Sequence, residues 1–427
     1  MSFLGVLFLS MKQRYLIVFC YWFSTFVEGA SRIILPLYLA MIKISTINIA
    51  WIFFLFEFFG LVTNIYSGIL INKYGYKRAF VGSLIIHTLA SFTFLSIHQD
   101  IGSLYVLILC GVARSMRGIG KELIKTTASA YVKQDKGGRS KLIQLLLGGK
   151  DTTKGVGMLA GGFMLTGIGF YYSFLSLGFI TAVSTIIALI WINDFREKKM
   201  VNGLKGFLKA SKEMKYLSYA RAFLYAGRDL WLVIPVPVFA VQAKIDPSVT
   251  ASILAVGVMS FGLIQPLFNA LLRIETANKN KWKRRPLLLW TPIILALITA
   301  SLLWLPSSVE NFIWVILAYN IFAAIATVPH NHFQIKFARK KRASIDIAYY
   351  KTISQIGKVL AVLGSGYLYD HFGLKGCLVT ACLALVLSSC SGFLLRKPQK
   401  AKDKDQDQDQ DQDKVKDKEQ NQRLMNC

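Results

Sequence analysis

The sequence predicts an all-α membrane protein of 12 transmembrane helices, arranged as two six-helix pseudo-symmetric halves. Three observations predict this. Of the 427 residues 54% are hydrophobic and the mean hydropathy is +0.46, which is more apolar side chain than a soluble chain of this length can bury. The apolar residues fall into about twelve runs of spanning length, near 14–40, 46–71, 79–97, 103–132, 142–168, 170–193, 216–242, 248–272, 286–305, 311–336, 345–369 and 374–395. The loops between them alternate in charge: one set carries 25 lysines and arginines, the other only Lys43, Lys244 and Lys375. Cation-rich loops stay in the cytoplasm, so both termini are expected there, in a multi-pass protein of the cell (inner or plasma) membrane. The longest loop splits the runs six and six, a layout in which substrate binds between the halves near the midplane.

Five segments follow: an N-terminal segment 1–13, a first six-helix half 14–193, a cytoplasmic central loop 194–215, a second half 216–395 and a tail 396–427. MSFLGVLFLSM is apolar but too short to span, and it lacks the positive start and cleavage site of a signal peptide. Met11, ahead of Lys12, Arg14 and a full span, is a second candidate start. The central loop has amphipathic character and reads either as a solvated linker or as a segment lying on the anionic inner leaflet. The tail alternates Asp with Gln, has almost no apolar residue, and is expected to be disordered.

A net charge of +27 and pI near 9.8 would suggest nucleic acid in a soluble protein. Here much of the excess sits in short loops, so the expected partners are the bilayer and a small substrate, with no nucleic acid. The six cysteines lack CxxC spacing, and five lie in apolar runs as small buried hydrophobes. No metal or other cofactor is expected. No nucleophile–base constellation occurs among five histidines, which argues against an enzyme. The Gly148-Gly149-Lys150 run is not a nucleotide loop, since that would need Gly at Gln144 and Ser or Thr at Asp151. Transport would therefore draw on an ion gradient or on exchange.

The spans carry charges where charges are expensive. Span four holds Arg114, Arg117, Lys121, Glu122 and Lys125. At about 100° per residue the four cations share one sector of the helix. A charge facing lipid costs about 3 kcal/mol or more, so this sector must face protein or a watery cavity. Span one holds Glu28 and Arg32, span two Glu57 and Asn64, and span five Lys150, Asp151 and Lys154. Span seven holds Arg221, Arg228 and Asp229, with the two arginines on one face, and span eleven repeats that spacing with Lys351 and Lys358. Cations outnumber acids by five in this set, once Asp346 is included, which is unfavourable in a low-dielectric cavity without a bound anion. The competing reading is a purely structural salt-bridge network. Lys125, Arg221 and Asp346 either join the cavity or snorkel to the interface.

The candidate anion-binding residues are thus Arg32, Arg114, Arg117, Lys121, Lys150, Lys154, Arg228, Lys351 and Lys358. Glu28, Glu57, Glu122, Asp151 and Asp229 are the candidate pairing acids; of these Glu57, Asp151 and Asp229 are candidates for titration by a proton gradient. His330 and His332 read as polar residues at a helix end. Trp51, Trp191, Trp290, Trp304 and Trp314 fall near span ends as an interfacial belt, and Trp231 either lines the cavity or packs the core. Gly157 and Gly161 make a small-residue face for close helix packing.

Gly68-Ile-Leu-Ile-Asn72-Lys73-Tyr-Gly75-Tyr-Lys77-Arg78 resembles the loop signature of the major facilitator superfamily, with Asn72 at the usual Asp. The resemblance makes Gly68, Asn72, Gly75, Lys77 and Arg78 a candidate conformational loop, with its charge interaction put in doubt by Asn72. Further runs resemble the organoarsenical efflux permease branch: Glu57-Phe-Phe-Gly60-Leu-Val-Thr-Asn64, Gly120-Lys121-Glu122-Leu-Ile-Lys125, Lys150-Asp151 with Lys154-Gly155-Val-Gly157, Ala220-Arg221 through Trp231 to Phe239, and Ser344-Ile-Asp346-Ile-Ala-Tyr349-Tyr350. At Glu122 that branch has Asp, and Arg114 and Arg117 are additional to it. The resemblance implies a major facilitator fold and a small polyanionic cargo, 1-arseno-3-phosphoglycerate, exported by alternating access with proton coupling, by a monomer. The residues alone leave open a phosphorylated-metabolite or drug antiporter, and more remotely a non-transporting receptor.

Overall fold

In a computed structural model of the chain, the described residues are 3–97, 102–133, 139–193, 210–275, 285–305, 309–339 and 343–395, and no strand occurs among them. The tail 396–427 and residues 194–209 of the central loop lie outside them. The helices are α1 (Phe3–Met41), α2 (Thr46–Tyr74), α3 (Tyr76–Thr93), α4 (Ser103–Lys133), α5 (Arg139–Gly167) and α6 (Gly169–Trp191). They continue with α7 (Lys212–Leu232), α8 (Pro235–Gln242), α9 (Pro247–Glu275), α10 (Arg285–Ser301), α11 (Val309–Phe337) and α12 (Ala343–Phe393).

Three boundaries differ from the hydropathy reading. Helix α1 begins at Phe3, so the backbone of residues 3–13 is helical and runs unbroken into the candidate span Tyr15–Met41. The run 216–242 is two helices, because Pro235 and Pro237 lack the N–H groups needed to continue α7. The loop after span two shrinks to one residue: α2 runs to Tyr74, α3 starts at Tyr76, and Gly75 joins them at φ 87°, a conformation that favours glycine. Gly68 and the backbone of Asn72 therefore lie in α2, and Lys77 and Arg78 in the first turn of α3; the side chain of Asn72 lies outside the described residues.

Helix α12 has 51 residues, about 76 Å at 1.5 Å per residue, more than twice a hydrocarbon core of about 30 Å. Gly373, at φ 64°, breaks it into two limbs. The chain doubles back there, since the Cys377 thiol donates to the Ser365 carbonyl at 3.5 Å. Among the described residues, nine stretches are long and apolar enough to cross a membrane. Helix α5, with Lys150, Asp151 and Lys154 at its middle, and the shorter α10 are not among the nine.

Packing repeats between the halves. In the first, α1 packs on α5 and α6, α2 on α4, and α3 on α4 and α6. In the second, α7 packs on α12, α9 on α11, and α10 on α11 and α12. With the limbs of α12 taken as the fifth and sixth members of their half, the partner lists correspond. The contacts that join the halves correspond too: α2 lies on the first limb of α12, and α5 on α9. At the side of the molecule opposite the start of α1, called here the far side, the Thr46 and Ile47 amides donate to Asp370 at 3.2 and 2.9 Å.

Close approach of α1 and α5 depends on glycine, as the small-residue face predicts. A Cβ on Gly157 would collide with the Phe26 carbonyl, and one on Gly29 with the Lys154 carbonyl. We expect Gly157→Val to lower the folded yield and the thermal midpoint in detergent, by an overpacking cost of about 1–3 kcal/mol. An unchanged midpoint would show that α5 can move away from α1 freely. Trp51, Trp191, Trp290, Trp304 and Trp314 are all exposed, whereas Trp231 is fully buried edge-on against Tyr319. Trp231 is therefore a core residue.

Candidate functional site

Between the halves lies a cavity of about 380 Å³, lined from α1, α2, α3, α4, α5, α7, α9, α11 and the first limb of α12. Most lining positions sit from the middle of each helix toward the side where α1 starts. Eight cations and four carboxylates line it, so its surplus is positive. A second hollow of about 110 Å³ lies beside it, lined more heavily by apolar residues such as Ile33, Leu232 and Pro237. Arg32, Asp151, Lys154, Arg228 and Phe261 line both hollows and mark the waist where the two meet.

On the first half Arg32, Lys121 and Lys125 have acids. Glu57 takes Arg32 at 4.0 Å and Lys121 at 3.8 Å. Glu122, one residue beyond Lys121 on α4, takes Lys125 at 2.8 Å and Lys121 at 4.0 Å. Lys125 thus belongs to the cavity and is not an interfacial snorkel. The spacing explains the arrangement, because Lys121 and Lys125 stand one helical turn apart.

Arg114 and Arg117 do not line the cavity. Both are completely buried. The Arg114 guanidinium sits between the rings of Phe53 and Phe56, at 4.3 and 4.0 Å, and 3.9 Å from Glu28. The Arg117 guanidinium has no hydrogen-bond partner among the described residues. Sharing a face with Lys121 was correct, but seven residues are about 10 Å of helix, and that distance carries Arg114 past the end of the cavity into packed protein. Lys351 also departs from the expectation: its side chain is exposed on α12 and only Lys358, seven residues on, reaches the cavity. Asp229 is buried behind the wall, accepting from Arg228 Nε at 2.6 Å.

Asp346 is buried and is held at the end of α12 by the Arg339 amide at 3.0 Å and by Arg339 Nη2 at 2.6 Å. The same bond raises the Arg339 guanidinium above its ordinary pKa. Asp346 therefore pins the α11–α12 junction and does not snorkel. His330 is buried, and Asn331 lines the cavity beside it.

The second half differs. Arg221 lines the cavity and donates from Nη2 to the Tyr225 hydroxyl at 2.7 Å. Three cations surround the Tyr225 ring: Lys358 at 4.2 Å, Arg221 at 4.3 Å and Arg228 at 5.2 Å.

A cation-rich cavity between two six-helix repeats agrees with the comparison of the chain to protein families, in which the Major Facilitator Superfamily model matches residues 17–362. The chain belongs to the major facilitator superfamily. It is therefore a multi-pass membrane transporter of a small molecule, since members of that superfamily are transporters and not enzymes. A search of curated proteins found no match.

The major facilitator cavity contains residues the sequence did not single out: Tyr225, His87, Gln265 and Gln355. Tyr225 had a signal. It lies four residues after Arg221 and three before Arg228, on their shared face. The other three carry no charge to set them apart from ordinary polar packing. Chemically the site can hold an anion by several N–H donors at once.

Proposed function

We propose that this major facilitator exports a small organic anion by alternating access, with an organoarsenical such as 1-arseno-3-phosphoglycerate as the cargo. The observation that carries the reading is the waist. The residues shared by the two hollows are Arg32, Lys154 and Arg228, the single carboxylate of Asp151 and the ring of Phe261. Three cations at a constriction favour an anion with more than one charge, and arginine forks suit phosphate or arsenate oxygens. Lys150, Lys154, Arg228 and Lys358 are the proposed clamp. The organoarsenical cargo rests on the resemblance of the span-two, span-five and span-seven runs to the efflux permease branch.

In this reading the start of α1 faces the cytoplasm of the cell membrane, as the loop charges require. Proton coupling falls to Glu57. Its carboxylate is shared by Arg32 from α1 and Lys121 from α4, so protonation would release two helices at once. Asp151, at the waist, is the second candidate. The transporter acts as a monomer.

Everted membrane vesicles test the proposal. The ester is generated inside the assay from glyceraldehyde 3-phosphate, NAD and arsenate by glyceraldehyde-3-phosphate dehydrogenase. Uptake of arsenic should exceed uptake of 3-phosphoglycerate and should collapse with a protonophore. Uptake of 3-phosphoglycerate without arsenic uptake would replace the cargo with a phosphorylated metabolite.

A further inference from the structure

We propose that Arg221, Tyr225 and Lys358 form a distinct subsite for one tetrahedral anionic group of the cargo, in which Tyr225 donates the discriminating hydrogen bond. The inference rests on the anion reading above and assigns a place within it. The first-half cations at Glu57 and Glu122 are already matched to carboxylates, so an arriving anion must compete with those acids. Arg221 and Lys358 have no carboxylate within ion-pair distance among the described residues. Their common neighbour is the Tyr225 side chain.

Arg221 is 6% exposed, and its Nη1 has no hydrogen-bond partner among the described residues. A buried guanidinium nitrogen without an acceptor is costly, and an incoming anionic oxygen removes that cost. Tyr225 is set up for the same event. Its hydroxyl oxygen accepts from Arg221 Nη2 at 2.7 Å, so the acceptor role is filled from one side. Its own proton has no acceptor among the described residues and is left to donate. The faces of its ring meanwhile hold Lys358 and Arg221 near 4.2 and 4.3 Å by cation–π attraction, which keeps both charges at the cavity before cargo arrives. An anion bound here would receive donors from Arg221 Nη1, Tyr225 Oη and Lys358 Nζ.

This geometry separates two jobs of one residue. The ring gathers the cations, and the hydroxyl reads the anion. Tyr225→Phe removes only the second, and Tyr225→Leu removes both. The full-length protein in nanodiscs is titrated with 3-phosphoglycerate, inorganic phosphate and glycerate, with thermal unfolding measured in parallel. We expect Tyr225→Phe to weaken 3-phosphoglycerate and phosphate binding by about tenfold, the loss of one hydrogen bond to a charged group, with a lower unfolding midpoint because Arg221 Nη2 also loses its acceptor, and with the protein still folded at the temperature of the titration. Glycerate, which lacks the phosphoryl group, should be affected less. Tyr225→Leu should weaken binding further. Native affinity for phosphate and 3-phosphoglycerate in both variants would overturn the subsite and leave the anion reading standing. A native protein that binds none of the three anions would overturn the anion reading and the subsite together.

Discussion

Replacing Glu28 with Ala is expected to destabilise the protein by about 3–5 kcal/mol, the cost of leaving buried charge without a partner. Glu28 is buried, and Arg114 lies 3.9 Å from its carboxylate. Arg114 and Arg117 are both fully buried, and neither guanidinium has a hydrogen-bond partner among the described residues. Stacking against Phe53 and Phe56 helps Arg114, but a cation–π contact contributes about 0.5–2 kcal/mol and does not offset burial of a whole charge. The folded fraction by size-exclusion chromatography and the thermal midpoint in detergent would report the loss. Arg114→Met in the Glu28→Ala background should recover much of it, because an apolar side chain of similar length needs no counterion there. Native stability in Glu28→Ala alone would mean that water or lipid headgroups reach these arginines.

Neutralising the waist should have the opposite profile, with transport lost and the protein still folded. Arg228→Gln and Lys154→Gln each remove a cation that faces both hollows. Truncating one partner of a desolvated charge pair costs about 2–5 kcal/mol, so transport should fall at least about thirtyfold in each. Arg228→Gln also leaves the buried Asp229 without its Arg228 Nε donor at 2.6 Å, so this variant should lose stability as well as transport. The Lys154 variant lacks that complication and is the cleaner of the two. Vesicle uptake with expression matched to native is the measurement. Unchanged uptake in both variants would sink the clamp.

The helical fold was legible because spanning runs of apolar residues and basic loops are strong, local signals. Joints were less legible. Gly75 and Gly373 replace loops with single residues of positive φ, a conformation that composition does not reveal. Within the site, periodicity placed Lys121, Lys125, Arg221 and Arg228 on shared faces and the structure agrees. Periodicity gives the angle around a helix and says little about depth along it. Arg114 and Lys351 were misjudged for that reason: each shares a face with a cavity residue seven positions away, yet packs or emerges elsewhere. Tyr225 escapes notice because an aromatic in an apolar span is ordinarily core; Arg221 and Arg228 flank it on α7, and the convergence with α12 adds Lys358.

The bond between Asp370 and the first amides of α2 bears on the direction of work. It ties one half to the other at the far side, with a carboxylate at the positive end of a helix dipole. In the export reading proposed above, release on that side requires the latch to part, and Thr46, Ile47 and Asp370 do not line the cavity. Cargo can shift such an equilibrium only by binding one arrangement more tightly than the other. A molecule that merely fills the resting cavity would hold the latch shut and act as its own inhibitor. Productive cargo must instead gain contacts as the halves swing, and an analogue that binds well but is never moved marks the difference.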